Sequence, residues 1–511
     1  LAKRRNPLSF FKIVTAMRTH LITLALGSLL VITAAAAEPT TSEAKAAMSK
    51  ATKFIRSIAT EGGYLWRYSE DLQFRAGEDK ATATQIWIQP PGTPAMGEVF
   101  LRAYAATKEA EYLAAAQAVA TALARGQLES GGWDYSIDFA PDKFPLAYRR
   151  TDAGKLSAAE AAKRKNISTY DDNNTQDALR FLLAYVAVTK DATDAANKEI
   201  RTTLDYGLKK MLEAQYPNGA WPQRYDGKPK SEKEFPVKRA SIPQTYPREY
   251  QKMDYKGHYT LNDNAMGDCI DIMLHAYQQL GEAKYLLAAK RGGDFLLLAQ
   301  LPEPQPVWAQ QYNANMEPAW ARAFEPPAAT GGESVWAMRT LIQLHVQTGE
   351  AKYIEPIPRA LAWYKRTEIA PGKWARYYEL TTNKPIYGDR DGKIHYRLQD
   401  ISKERQTGYG WEGDFGFKKL MSEWEQLQQE GRDKLLARLT PKASSEKSKQ
   451  ATRKKLAAQA AAVIQQLDAQ GRWLTDGKAV KEAGDLKSGR RIETEVFIKN
   501  LKVLADYVAA E

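Results

Sequence analysis

Apolar residues recur three and four apart through long stretches of this chain, most regularly over 93–107, 110–126, 264–280 and 282–299, and that spacing predicts amphipathic helices. The same reading predicts helices over 43–59, 172–189, 193–214, 334–348 and 350–366. Two more are expected at Leu456–Leu467 and Glu493–Ala509, beyond a polar, basic stretch around 440–449. The intervening segments 130–170, 222–263, 302–332 and 372–416 are long, and ordered loops of that length usually serve function.

The helical segments repeat. Tyr104-Ala-Ala-Thr-Lys-Glu-Ala-Glu-Tyr112-Leu113 returns as Tyr277-Gln-Gln-Leu-Gly-Glu-Ala-Lys-Tyr285-Leu286 and as His345-Val-Gln-Thr-Gly-Glu-Ala-Lys-Tyr353-Ile354, with a weaker copy from Tyr185. Each is an apolar helix, a short turn and a departing helix, which is a helical hairpin. Repeated hairpins stack into a solenoid or a closed toroid. Their uneven spacing calls for long insertions on one face and favours a catalytic toroid. A second recurrence, Gln127-Leu-Glu-Ser-Gly131-Gly132-Trp133 and Gln215-Tyr-Pro-Asn-Gly219-Ala220-Trp221, has a short echo in Gln470-Gly471-Arg472-Trp473. Glycine supplies the left-handed turn that ends a helix, and the Trp ring folds back over it; stacking of Trp133 and Trp221 on sugars is the alternative role.

Two acidic-amide clusters stand where loops give way to helices: Thr169-Tyr170-Asp171-Asp172-Asn173-Asn174-Thr175 and Thr260-Leu261-Asn262-Asp263-Asn264-Ala265-Met266. Asp and Asn are favoured helix caps, but each cluster holds more oxygen donors than capping uses. Grouped oxygens of this kind suit a hard cation such as Ca²⁺.

The net charge of +12 does not point to a polyanion-binding body. Residues 1–37 hold five Lys/Arg and no acid, residues 432–511 hold 17 Lys/Arg against 10 Asp/Glu, and residues 38–431 are neutral in balance. No nucleic-acid partner is expected. Cys269 is the single cysteine, which excludes an intramolecular disulfide and a cysteine-based zinc site. The five histidines show no metal-ligand spacing. Met17-Arg18-Thr19-His20, the apolar run Leu21–Ile32 and Ala34–Ala37 form an export-signal pattern. The expected organisation is a signal over 1–37 with the true start at Met17, a catalytic body over 38–431, and a basic linker with a C-terminal helical appendage over 432–511. The mature chain is expected to be an exported monomer, periplasmic or secreted, with no membrane association after signal removal.

Over roughly residues 45–430 the chain resembles the polysaccharide lyase family 10 pectate lyases. The resemblance rests on the two clusters and, in order, on Pro318-Ala-Trp-Ala-Arg322-Ala-Phe-Glu325-Pro-Pro, Gly388-Asp-Arg390-Asp-Gly392 and Glu404-Arg405-Gln-Thr-Gly408-Tyr409-Gly-Trp411. It implies an all-α (α/α)₃ toroid, Ca²⁺ dependence and β-elimination on polygalacturonate, giving 4,5-unsaturated oligogalacturonates. It further implies Asp171 and Asp263 as metal ligands with Asn173 as accessory, and Arg322 as the base. Arg390, Arg405, Asp172, Tyr409 and Trp411 would meet the substrate. Asp172 stands where the family often has Asn, so which of Asp171 and Asp172 ligates stays open. A guanidinium normally keeps its proton; neighbouring cations (the metal, Arg390, Arg405) are expected to lower the Arg322 pKa.

Three other readings remain. A toroid glycoside hydrolase would use two carboxylates flanking the bond, drawn from Asp172, Asp263 and Glu325. A triterpene cyclase shares the Gln-x₃-Gly-x-Trp pattern, but this chain has no Asp-x-Asp-Asp motif. A non-catalytic, exported sugar-binding scaffold is the third.

Overall fold

The computed structural model describes residues 38–439, 445–480 and 488–511, so the expected export signal at 1–37 lies outside the described residues. Helix α1 (Thr41–Ser57) opens at a capping box in which the Thr40 hydroxyl accepts from Glu43 N–H and the Glu43 carboxylate accepts from Thr40 N–H. Then come the hairpin α2 (Thr93–Thr107) and α3 (Ala110–Gly126), a one-turn α4 (Ala158–Ala161), the hairpin α5 (Asn174–Val188) and α6 (Ala195–Glu213), and the hairpin α7 (Ala265–Leu280) and α8 (Ala283–Ala299). The chain continues through α9 (Glu333–Thr348), α10 (Ile357–Thr367), α11 (Lys403–Gly408), α12 (Phe417–Glu430), α13 (Arg432–Leu439), α14 (Glu446–Gln465) and α15 (Thr494–Ala509). The periodicity places α2 and α3 residue for residue. It runs 350–366 together as one helix, whereas Pro356 cannot donate to a preceding turn. A 3₁₀ turn at Ala351–Tyr353 therefore ends before α10 begins at Ile357. Helix α12 was not anticipated.

The fold is a helical toroid. Helices α15, α2, α5, α7, α9 and α12 pack side by side in that order as an inner layer, and α3, α6 and α8 back the inner helices that precede them. The ring therefore exceeds three hairpins, and the C-terminal segment is not an appendage. Helix α15 packs on α1, α2 and α14, and buries Phe497, Leu501, Leu504 and Tyr507. Phe497 meets Phe100 of α2 edge-on, with ring centroids 5.9 Å apart. The strand Gly489–Glu493 ahead of α15 pairs antiparallel with Arg67–Ser69 after α1. The basic composition of 432–511 reads as solvated, and α14 and α15 both carry exposed lysines (Lys447, Lys454, Lys455; Lys499, Lys502), but the apolar stripe of α15 is sealed. Among the described residues no helix is long and apolar enough to cross a membrane.

The glycine-tryptophan recurrence is a structural latch. Trp133, Trp221, Trp308, Trp374 and Trp473 each donate their indole N–H to a carbonyl of the helix before them, at Leu123, Met211, Leu296, Tyr364 and Val463. All five rings are buried, which removes Trp133 and Trp221 as sugar platforms. Gln127 and Gln215 donate to Gly131 and Gly219 within their own turns and to Thr203 and Ala288 on the next outer helix. Just past four of the tryptophans a short strand returns to pair antiparallel with the strand that leads into the inner helix of the same hairpin. These ladders are Ser136–Asp138 with Gln85–Trp87, Arg224–Tyr225 with Ser168–Thr169, Gln311–Tyr312 with Tyr259–Thr260, and Tyr377–Tyr378 with Ala329–Thr330. The long loops thus gather where the inner helices begin.

Candidate active site

The two acidic-amide clusters are superposable turns on neighbouring inner helices. After Thr169 and after Thr260 the chain makes a single 3₁₀ turn, and the third residue on is Asp172 or Asp263, each at φ 49°. The next residues, Asn173 and Asn264, are also left-handed at φ 58° and 62°. Asn and Asp tolerate this region better than other L-residues. The side chains of Asn173 and Asn264 each reach a carboxylate one turn down their own helix, Asp177 at 3.5 Å and Asp268 at 2.8 Å.

These turns bring Asp171, Asp172 and Asp263 together, with one carboxylate oxygen from each lying within 4.8 Å of the others. Tyr135 Oη donates to Asp171 and Asp172 at 3.1 Å each, and Gln223 Nε2 donates to Asp171 at 2.8 Å. Burial, then Asp172, then Asp263 push the Asp171 carboxyl up to about 8, against the pull of Arg224 and Arg322. Buried acceptors in and beside the turns have no hydrogen-bond partner: Asp171 Oδ1, Asn173 Oδ1, Asn174 Oδ1 and Asn262 Oδ1. Buried acceptors normally find donors, and an all-oxygen donor set is the kind that holds Ca²⁺. The residues fit a hard divalent cation, with Asp172 inside the cluster beside Asp171 and Asp263.

The arginines converge on Phe324. The guanidinium carbons of Arg322, Arg405 and Arg390 stand 4.7, 4.6 and 6.0 Å from its ring centroid. Arg390 and Arg405 share the Glu404 carboxylate, with Arg390 Nε at 3.0 Å and Arg405 Nε at 2.9 Å from Glu404 Oε2. Their accessibility differs: the Arg390 side chain is 60 % exposed and that of Arg405 only 1 %. Arg390 therefore presents its charge to solvent, while Arg405 is walled in and does not reach a substrate surface in this structure. Trp411 is buried as well; its indole N–H donates to the Arg405 carbonyl at 2.8 Å. It supports the arginines from behind and offers no face to a substrate. Tyr409 is half-buried, with its hydroxyl 3.0 Å from both Glu325 Oε1 and the Tyr377 hydroxyl.

Arg322 is bound to Glu325 through Nε at 2.7 Å, through Nη2, and through its backbone N–H at 3.0 Å. Burial pushes its guanidinium pKa down, but the Glu325 carboxylate more than reverses this and leaves it well above the ordinary arginine value. The lowering expected from neighbouring cations is opposed by Glu325, an anion 2 % exposed that sits against the guanidinium.

Tyr135, Gln223, Gln310, Arg376 and Glu333 were missed in the sequence, and Glu325 was read only as a candidate hydrolase carboxylate. Four of them carried a signal, since each stands two positions after a latch tryptophan (Trp133, Trp221, Trp308, Trp374). Tyr135 and Gln223 reach the aspartates, Gln310 accepts from Tyr377, and Arg376 pairs with Glu333 at 2.7 Å.

The fold and site define a helical-toroid protein with an oxygen-rich cation cradle beside a cluster of arginines. The sequence model of the pectic acid lyase family matches residues 138–373 and 366–420, and the chain belongs to that family. No curated protein matches it. Among solved structures it is similar to a family 10 polysaccharide lyase from Cellvibrio cellulosa, at 21 % identity and a TM-score of 0.44 over 66 % of this chain and 97 % of that one. A sugar epimerase from a ruminal bacterium matches at 11 % identity and a TM-score of 0.41, over 76 % and 86 % of the two chains. An inactive variant of an α-1,6-mannanase of Salegentibacter matches at 12 % identity and 0.38, over 92 % and 100 %.

Proposed function

We propose that this protein cleaves polygalacturonate by Ca²⁺-dependent β-elimination, leaving a 4,5-unsaturated uronide. The observation that carries the reading is the placement of three aspartates, beside unmatched buried oxygens of Asp171, Asn173, Asn174 and Asn262, near an arginine cluster, in a member of the pectic acid lyase family. Asp171, Asp172 and Asp263 would hold the ion, with Asn173 Oδ1 beside them. A bound Ca²⁺ neutralises a uronate carboxylate and acidifies the neighbouring C5–H. Arg390, exposed and forked, grips a uronate carboxylate at the next sugar. Arg322 takes the C5 proton, and the electron pair forms the C4–C5 double bond as the glycosidic oxygen leaves. A neutral guanidine is needed for that step, so the rate rises with pH.

Incubation with polygalacturonate at alkaline pH, followed at the absorbance of the unsaturated uronide, tests the proposal. Product is expected with Ca²⁺ and none with excess EDTA, and Arg322→Ala is expected to fall about 10³-fold, the middle of the range for loss of a general base, with an unchanged melting temperature. Reducing ends without ultraviolet absorbance would instead identify a hydrolase. Binding of oligogalacturonates without turnover would identify a sugar-binding scaffold.

A further inference from the structure

The reading above leaves Glu325 unassigned, although it makes the closest contacts that Arg322 has. Its carboxylate is 2 % exposed and takes two side-chain hydrogen bonds and one backbone hydrogen bond from Arg322. It is itself fixed by the Tyr409 hydroxyl at 3.0 Å. Behind that hydroxyl stands Tyr377, bonded to Gln310. This chain locks the clamp to the strand Tyr377–Tyr378 and to the segment after Trp308. The Arg322 side chain is 31 % exposed, so the clamp secures one edge of the guanidinium and leaves Nη1 on the other.

We propose that Glu325 is the positioning residue for Arg322: its clamp on Nε and Nη2 makes Nη1 the nitrogen that meets substrate and tethers the guanidinium charge beneath it. The inference rests on Arg322 being the base of the elimination. Burial keeps Glu325 from touching substrate, so it acts through Arg322 alone. A fixed anion favours the protonated guanidinium, and Glu325 therefore sets how alkaline the medium must be before Arg322 can accept a proton. The other groups facing Arg322 are Tyr409 and Tyr377, Arg390, Asp171 and Tyr255. Arg376 faces Glu325 from the far side. Glu325 is the one among these that bonds the guanidinium.

The test is the pH profile of kcat/KM on polygalacturonate at saturating Ca²⁺ for the wild type, Glu325→Gln, Glu325→Asp and Arg322→Ala. Glu325→Gln keeps the shape and removes the charge, so its alkaline-rising limb is expected at least one pH unit lower, about a tenfold gain in neutral guanidine at a given pH. Glu325→Asp keeps the charge and shortens the clamp, so its limb is expected to stay in place. Its kcat should fall at least tenfold while KM changes less than threefold. A Glu325→Gln limb coincident with that of the wild type would overturn the inference, as would wild-type kcat in Glu325→Asp. If Glu325→Gln does not fold, the kcat and KM of Glu325→Asp decide. Absence of elimination by the wild type, or full activity in Arg322→Ala, would sink the underlying reading instead. An inactive Arg322→Ala with an unmoved Glu325→Gln limb sinks only the clamp.

Discussion

Asp172 and Asp263 occupy the same backbone position in two copies of one turn, each left-handed and each followed by a left-handed Asn. The sequence carried the residue types and their place at helix starts. It did not carry the pairing: Asp171 aligns with Asn262, and the duplicated acids are Asp172 and Asp263. Which carboxylates come together follows from backbone dihedrals that no residue pattern states. Arg405 and Trp411 show the reverse failure, because their motif is visible and their burial is not. Three acids held this close repel one another, and Asp172 and Asp263 help to hold Asp171 partly protonated near neutral pH. Asp263→Asn, which removes the charge but keeps a residue suited to the left-handed turn, is therefore expected to weaken Ca²⁺ binding at least tenfold by isothermal titration. In EDTA the same variant should melt no lower than the wild type, since repulsion goes with the ligand. Loss of stability in EDTA without loss of Ca²⁺ affinity would give Asp263 a structural role.

The inner helices meet through charge as well as apolar packing. Arg180 of α5 pairs with Asp177 at 3.0 Å and with Asp271 of α7 at 2.8 Å, Gln343 of α9 donates to Asp271, and Arg339 of α9 pairs with Glu423 of α12. Glu98 of α2 faces this group. Burial first and Asp177 second push its carboxyl up to about 7, partly offset by Arg180 and His275. A carboxyl whose folded pKa lies above its unfolded value holds more protons when folded, so stability falls as pH rises between the two. For Glu98 that window runs from about 4.5 to about 7. Glu98→Gln is expected to match the wild type in melting temperature below pH 4.5 and exceed it above pH 7; parallel curves would show that Glu98 does not titrate there. Helix periodicity made the inner helices legible because their buried faces repeat every turn. The ladders between them escaped notice, since two- and three-residue strands are too short to show alternation.

At the scale of the whole molecule, the first and last described segments pack against each other. Helix α15 lies against α1 and α2, Tyr507 of α15 donates to the Pro39 carbonyl, and Arg102 of α2 pairs with Asp506. A composition shift suggested a tail because it weighs charge and ignores where the apolar stripe goes. Phe497, Leu501, Leu504 and Tyr507 are 0–4 % exposed, and such burial stabilises by roughly 1.5–3 kcal/mol per large apolar side chain. Truncation before Gly489 is therefore expected to abolish cooperative thermal unfolding, read by circular dichroism, although the aspartates and arginines of the candidate site are all retained. A truncated chain with the parent melting temperature would restore the appendage. During synthesis the partners of α2 emerge at opposite ends of the process. The face carrying Phe100 stays wet until residue 497 and its neighbours have left the ribosome, so nascent chains stalled late in translation are the species most prone to aggregate.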